Sequence, residues 1–134
     1  MIWHFPEKHR LVILDRIGSQ KIEDVLLKHS NYAILDDRNE SVNIPILFLS
    51  LFYLLSLRNN SFKTIYQITY IRYIGAEFAL SFIHTSLHFC DLISKIPGCK
   101  LAFIQNGVGS LNILWEYKEN SLNCDYYFTS SFYW

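Results

Sequence analysis

Five short apolar runs, separated by helix-like segments, limit the fold of this chain more than any other feature. They are 11–15 (LVILD), 32–35 (YAIL), 78–83 (FALSFI), 101–104 (LAFI) and 125–129 (DYYFT). No two are joined by a tight hairpin turn, and each gap is long enough for the crossover that parallel strands require. Runs that are apolar throughout belong to strands covered on both faces. The expected fold class is therefore α/β: a Rossmann-like three-layer sandwich of about five mainly parallel strands.

The intervening segments carry helix signals. Gly18-Ser19 reads as a turn and N-cap, followed by Ile22, Val25, Leu26 and His29 at helical spacing. Residues 44–57 read as a helix, with Pro45 in the first turn, where its missing N–H costs least. Residues 62–74 are rich in aromatic and β-branched side chains. Ile65, Ile68, Tyr70, Ile71 and Ile74 share one side, which favours a helix. Residues 85–96 and 111–120 complete the set. At 134 residues, half of them hydrophobic, the chain suits one domain with a real core.

Charge and cysteine usage exclude several function classes. The formal net charge is zero, so the electrostatic footprint of a nucleic-acid binder is missing and no nucleic-acid partner is expected. Cys90, Cys99 and Cys124 are odd in number and widely spaced. Free thiols in a reducing compartment are expected, rather than a disulfide framework or a zinc site. The segment MIWHFPEKHR has no apolar run of the kind a secretory signal needs, which favours the cytoplasm. Residues 42–57 form the longest uncharged apolar run, short of the roughly 20 residues a bilayer span requires. They read as a core or interface-lying helix, leaving peripheral association at the inner membrane face as the one expected membrane mode. The sequence stops at Phe132-Tyr133-Trp134 directly after the fifth run. This apolar end suggests a fragment of a longer protein, or contact with a partner.

The stretch KLAFIQNGVGS concentrates the candidate binding chemistry. Gln105 and Asn106 end the fourth run, and Gly107 and Gly109 permit close approach of a ligand to backbone N–H groups, with Ser110 beside them. In open α/β sheets ligands bind beyond such strand ends. The run from Gly107 to Asn112 nearly matches a dinucleotide fingerprint but lacks its third glycine and does not follow the first strand. A plain strand–turn–helix connection competes with a sugar- or phosphate-facing turn there. Asp15 and His84 end their own runs, and either could serve as a general base. The competing reading of Asp15 is a turn or helix-start carboxylate. His84 and His88 are four apart, as metal ligands on one helix face are, but Thr85 stands where a metalloprotease helix has glutamate. Asp36, Asp37 and Arg38 read as a solvated turn. No metal and no cofactor is expected.

Several segments together resemble a family of bacterial surface-carbohydrate biosynthesis proteins. They are Trp3, Phe5-Pro6-Glu7-Lys8, Leu11-Val12-Ile13, Asp15, Ile17-Gly18-Ser19, Asn43-Ile44-Pro45-Ile46-Leu47, Phe103-Ile104-Gln105-Asn106-Gly107 and Asp125-Tyr126-Tyr127-Phe128. Members look like glycosyltransferases of the two-Rossmann-domain type, related to capsule and lipopolysaccharide assembly. The resemblance implies that this chain is the N-terminal, acceptor-side half, and that a nucleotide sugar is bound only with a second domain. It also implies that Asp15 or His84 deprotonates a glycan hydroxyl that Gln105, Asn106 and Gly107 position. Two positions depart from the pattern: His84-Thr85 stands for an acidic Asp-Asn pair, and Gly109 for an arginine. The isolated chain is expected not to transfer sugar. A non-catalytic remnant or binding module is the alternative reading, and another nucleotide-binding α/β domain the third.

Overall fold

A computed structural model describes residues 1–16, 18–19, 31–35, 42–54, 59–83, 86–105 and 124–128. Its centre is a five-stranded sheet of β1 (Leu11–Leu14), β2 (Tyr32–Leu35), β3 (Phe78–Ser81), β4 (Lys100–Ile104) and β5 (Tyr126–Phe128). Every neighbouring pair is parallel, and the order across the sheet is β2-β1-β3-β4-β5. The expected mainly parallel α/β sheet is what forms.

Alternation along the strands divides the core in two. Val12, Leu14, Ala33, Leu35, Ala79, Leu101 and Phe103 point to one face. The described helices, α1 (Ile44–Tyr53), α2 (Phe62–Ile74) and α3 (Leu87–Ser94), supply Ile46, Ile68, Ile71, Phe89 and Leu92 to that same cluster. Ile13, Leu80, Phe82 and Ala102 form a second cluster on the opposite face. Burial of both faces explains why the strands read as unbroken apolar runs. Phe103, the fourth residue of β4, is wholly enclosed, and its full burial contributes roughly 1.5–3 kcal/mol.

Capping residues set the helix boundaries. Ser61 accepts from the Thr64 N–H to start α2, and Gly75 ends it at φ +75°, its N–H reaching the Ile71 and Arg72 carbonyls. The sequence pattern puts the apolar side of α2 on one face, but Thr64 to Thr69 are buried without a break. α2 is enclosed because it packs against α1 and α3 as well as serving the sheet core. Ser86 caps α3 by accepting from the Phe89 N–H, so that helix is shorter than residues 85–96. α1 starts on Asn43 with Pro45 in its first turn, and Leu54 caps its end. The rest of the expected 44–57 helix, the segments 22–29 and 111–120, and Asp36-Asp37-Arg38 lie outside the described residues.

The N-terminal segment is tied down by one buried side chain. Asn43 Oδ1 accepts from the Ile46 N–H, its Nδ2 donates to the His4 carbonyl at 2.9 Å, and its backbone N–H donates to the Tyr66 hydroxyl. Phe5 stacks on Tyr73 with ring centroids 4.9 Å apart, while the Lys8 ammonium lies over the same ring and donates to the Tyr73 carbonyl. An exposed Arg10–Glu77 ion pair closes the strand-entry end, the guanidinium holding the Glu77 carboxyl below its ordinary range.

Candidate functional site

The strand order creates one place where neighbouring connections leave in opposite directions. β1 is flanked by β2 on one side and β3 on the other, so the crevice at the carboxyl ends of β1 and β3 is the topological switch point of the sheet. Asp15 follows β1 directly at this point. Its N–H still donates to the Leu35 carbonyl at 3.0 Å, which extends the β1–β2 ladder by one bond. The chain then leaves the sheet at once, because Asp15 adopts φ +73°.

That backbone conformation is why β1 stops at Leu14, one residue before the expected end of the run. Among the described residues Asp15 is the one non-glycine with positive φ. The left-handed region disfavours a β-carbon, although Asp tolerates it better than most residues. Gly18 follows at φ +84°, and Ser19, fully buried, closes the turn through its N–H and its hydroxyl, both onto the Arg16 carbonyl. The connection after β1 is thus a tight turn with two left-handed residues, as Gly18-Ser19 leads one to expect. Asp15 is only 1% exposed. Its side chain is therefore buried rather than an open rim group.

The neighbouring strand ends in a similar way. Ser81, fully buried opposite Leu14, accepts the Ile83 N–H on its hydroxyl at 3.1 Å. This local bond turns the backbone, so β3 ends at Ser81 although the apolar run continues to Ile83. Phe82 packs into the second core cluster and Ile83 against the first. His84 comes next in the sequence but lies outside the described residues.

Gln105 leaves β4 on the same edge of the sheet. Its N–H donates to the Phe128 carbonyl at 2.8 Å, and its side chain is half-buried. Only β3 separates β1 from β4, so the Asp15 and Gln105 backbones lie about 10 Å apart across two strand spacings. That separation is within the reach of one sugar-sized ligand. Asn106, Gly107, Gly109 and Ser110 lie outside the described residues, as do Phe132, Tyr133 and Trp134.

His88 takes no part in this edge. Its Nε2 bonds the buried Gln67 Oε1 at 3.0 Å, joining α3 to α2, and its ring sits beside Phe89. Among the described residues no three His, Cys, Asp or Glu side chains gather as a metal site would need. The three cysteines are free thiols. Burial, with a smaller contribution from Asp125, pushes the Cys99 thiol up to about 11.

The residues that sequence reasoning passed over are Ser81 and the turn geometry around Asp15. Serine inside an apolar run is a weak signal, and nothing in a sequence reports a left-handed aspartate. By strand order the chain is an α/β protein of the doubly wound, 2-1-3-4-5 kind. No family model, curated protein or solved structure matches it.

Proposed function

We propose that this chain is the acceptor-side domain of a glycosyltransferase-like protein of surface polysaccharide assembly, and that it holds a glycan hydroxyl in the crevice at the ends of β1, β3 and β4. The observation that carries the reading is the left-handed, buried Asp15 at the switch point, with Gln105 on the same edge. Strain of this sort concentrates at binding sites because the surrounding structure must hold it in place. Both residues fall in segments that resemble those of surface-carbohydrate proteins, Leu11-Val12-Ile13 with Asp15 and Phe103-Ile104-Gln105-Asn106-Gly107.

In this reading the amide groups of Gln105 and Asn106 bind sugar hydroxyls, and Gly107, Gly109 and Ser110 present backbone N–H groups to them. His84 takes the proton from the reacting hydroxyl. The buried Asp15 suits a positioning role, holding the turn that forms one wall, better than direct contact with substrate. Transfer from a nucleotide sugar requires a facing domain to bind the donor and exclude water. Free thiols at Cys90, Cys99 and Cys124 are in keeping with a cytoplasmic, reducing setting.

Titration of candidate glycans into the full chain, followed by amide chemical shifts, tests this. Saturable shifts at Gln105 and around Asp15, weakened by Gln105→Ala with the fold intact, are expected. Glycans that leave those amides unmoved, or shift them equally in Gln105→Ala, refute the reading.

A further inference from the structure

β5 stands at the end of the strand order, and a side chain holds its entry to β4. Register pairs join Ala102, Phe103 and Ile104 to Tyr126, Tyr127 and Phe128. One step earlier the Asp125 N–H donates to the Leu101 carbonyl at 3.0 Å, and Asp125 Oδ2 accepts the Leu101 N–H at 2.8 Å. In a regular parallel ladder that N–H goes to a main-chain carbonyl of the neighbouring strand. Asp125 therefore clamps the two chains at Leu101 through both its backbone and its carboxylate.

A cysteine precedes the clamp on each chain. Cys99 is two residues before Leu101, and Cys124 is one before Asp125. With neighbouring strands about 4.8 Å apart and a rise of about 3.3 Å per residue, that offset puts their Cα atoms about 6 Å apart. Disulfides span Cα separations of roughly 4.4–6.8 Å. Both residues also belong to one face of the sheet. Cys99 is a buried member of the first core cluster, and the half-buried Cys124 packs against that same cluster. Burial raises both thiols from their ordinary range, and the Asp125 carboxylate adds to the rise in each, as expected of two groups on either side of it.

We propose that Cys99 and Cys124 form a reversible disulfide that staples β5 to β4. The Cys124 thiolate, from the more accessible residue, attacks one sulfur of a small-molecule disulfide such as glutathione disulfide. Its S–S bond breaks and one glutathione thiolate leaves. Cys99, giving its proton to solvent, then attacks the Cys124 sulfur and expels the second glutathione. Two protein thiols are oxidised to one disulfide, and one glutathione disulfide is reduced to two thiols. A dithiol resists oxidation when its surroundings stabilise the thiolate, and here they do the opposite for both partners. The closed loop, residues 99–124, contains Gln105, Gly107 and Gly109, so oxidation fixes both ends of the segment that carries the candidate binding groups. The bond itself does not depend on the acceptor reading.

The test is to equilibrate the full chain, without oxygen, in buffers of rising glutathione disulfide to glutathione ratio, quench in acid and map the peptides by mass spectrometry. One intramolecular link between the peptides carrying Cys99 and Cys124 is expected, reversed by dithiothreitol. Closing that loop should raise Tm by about 10 °C, with the far-UV circular dichroism of the reduced chain retained. Cys90→Ser should form the same link, since Cys90 comes from α3 and takes no part. The Tm of Cys124→Ser should not respond to the glutathione ratio. The proposal is overturned by a parent chain that links through Cys90, that stops at a mixed disulfide with glutathione, or that forms the bond only in urea. It is also overturned by an oxidised Tm no higher than the reduced one, or by an equal Tm response in Cys124→Ser. Where a variant does not fold, the peptide map of the parent chain decides the question.

Discussion

Substituting Asp15 with glycine, alanine and asparagine separates its backbone role from its side-chain role. At φ +73° an L-residue carries about 1–2 kcal/mol of left-handed penalty, which glycine does not. Glycine in turn gives up about 0.4–1 kcal/mol through the greater freedom of its unfolded chain. The difference leaves Asp15→Gly more stable than Asp15→Ala by about 0.5–1 kcal/mol. Both variants lack the carboxylate, so the loss of its buried contacts cancels between them. In a domain of this length about 1 kcal/mol moves Tm by roughly 3–5 °C. Thermal unfolding followed by circular dichroism should therefore place the glycine variant about 2–4 °C above the alanine one. Asp15→Asn should lie above both, because asparagine tolerates the left-handed region and fills the same space. An alanine variant as stable as the glycine variant would refute the left-handed turn, and with it the strain on which the site assignment rests.

Two further outcomes follow from buried groups. Asn43→Ala removes the cap on Ile46, worth about 1 kcal/mol, and the bond to the His4 carbonyl, worth about as much; a loss of about 2 kcal/mol is expected, read as a lower urea midpoint at unchanged slope, and a loss below about 0.5 kcal/mol would contradict the hydrogen bonds drawn here. The Cys99 thiol, raised from 9.0 to about 11, stays protonated through neutral pH and becomes a thiolate only as pH climbs toward that value. Native-state alkylation at pH 8 should accordingly be about a hundredfold slower than for an unperturbed thiol, and labelling at the ordinary rate, resolved by peptide mass spectrometry, would show that Cys99 is not buried as described.

The sheet was legible because its strands are buried on both faces, which writes each as an unbroken apolar run. α2 was legible for a different reason, the clustering of Ile65, Ile68, Tyr70, Ile71 and Ile74 on one side, while the Ser61 and Gly75 caps that set its ends were not part of that pattern. What the sequence could not carry was strand order. The pairing of β1 with β3 across the long intervening segment depends on how two helices pack over one face, a property of the assembled core rather than of any window of residues. The strand ends failed for a smaller reason. Apolar character continues to Ile83, but a single Ser81 hydroxyl accepting the Ile83 N–H turns the chain two residues earlier.

The same distinction governs the candidate site. That Asp15 and Gln105 would share an edge follows from parallel strands alone, since every carboxyl end then lies on one side. That only β3 stands between them follows from the strand order, and could not be read in advance. Burial changes the chemistry more than position does. A carboxylate at an open rim suits proton transfer to a bound hydroxyl, whereas one that is 1% exposed within a turn is better suited to fixing the shape of a wall. The turn after Asp15 is closed by the Ser19 N–H and hydroxyl, both donating to the Arg16 carbonyl. In the proposed site this implies a division of labour: the β1 end, with Asp15 buried, would supply rigidity, and the β4 end, where Gln105 is only half-buried, a polar group that a ligand could reach.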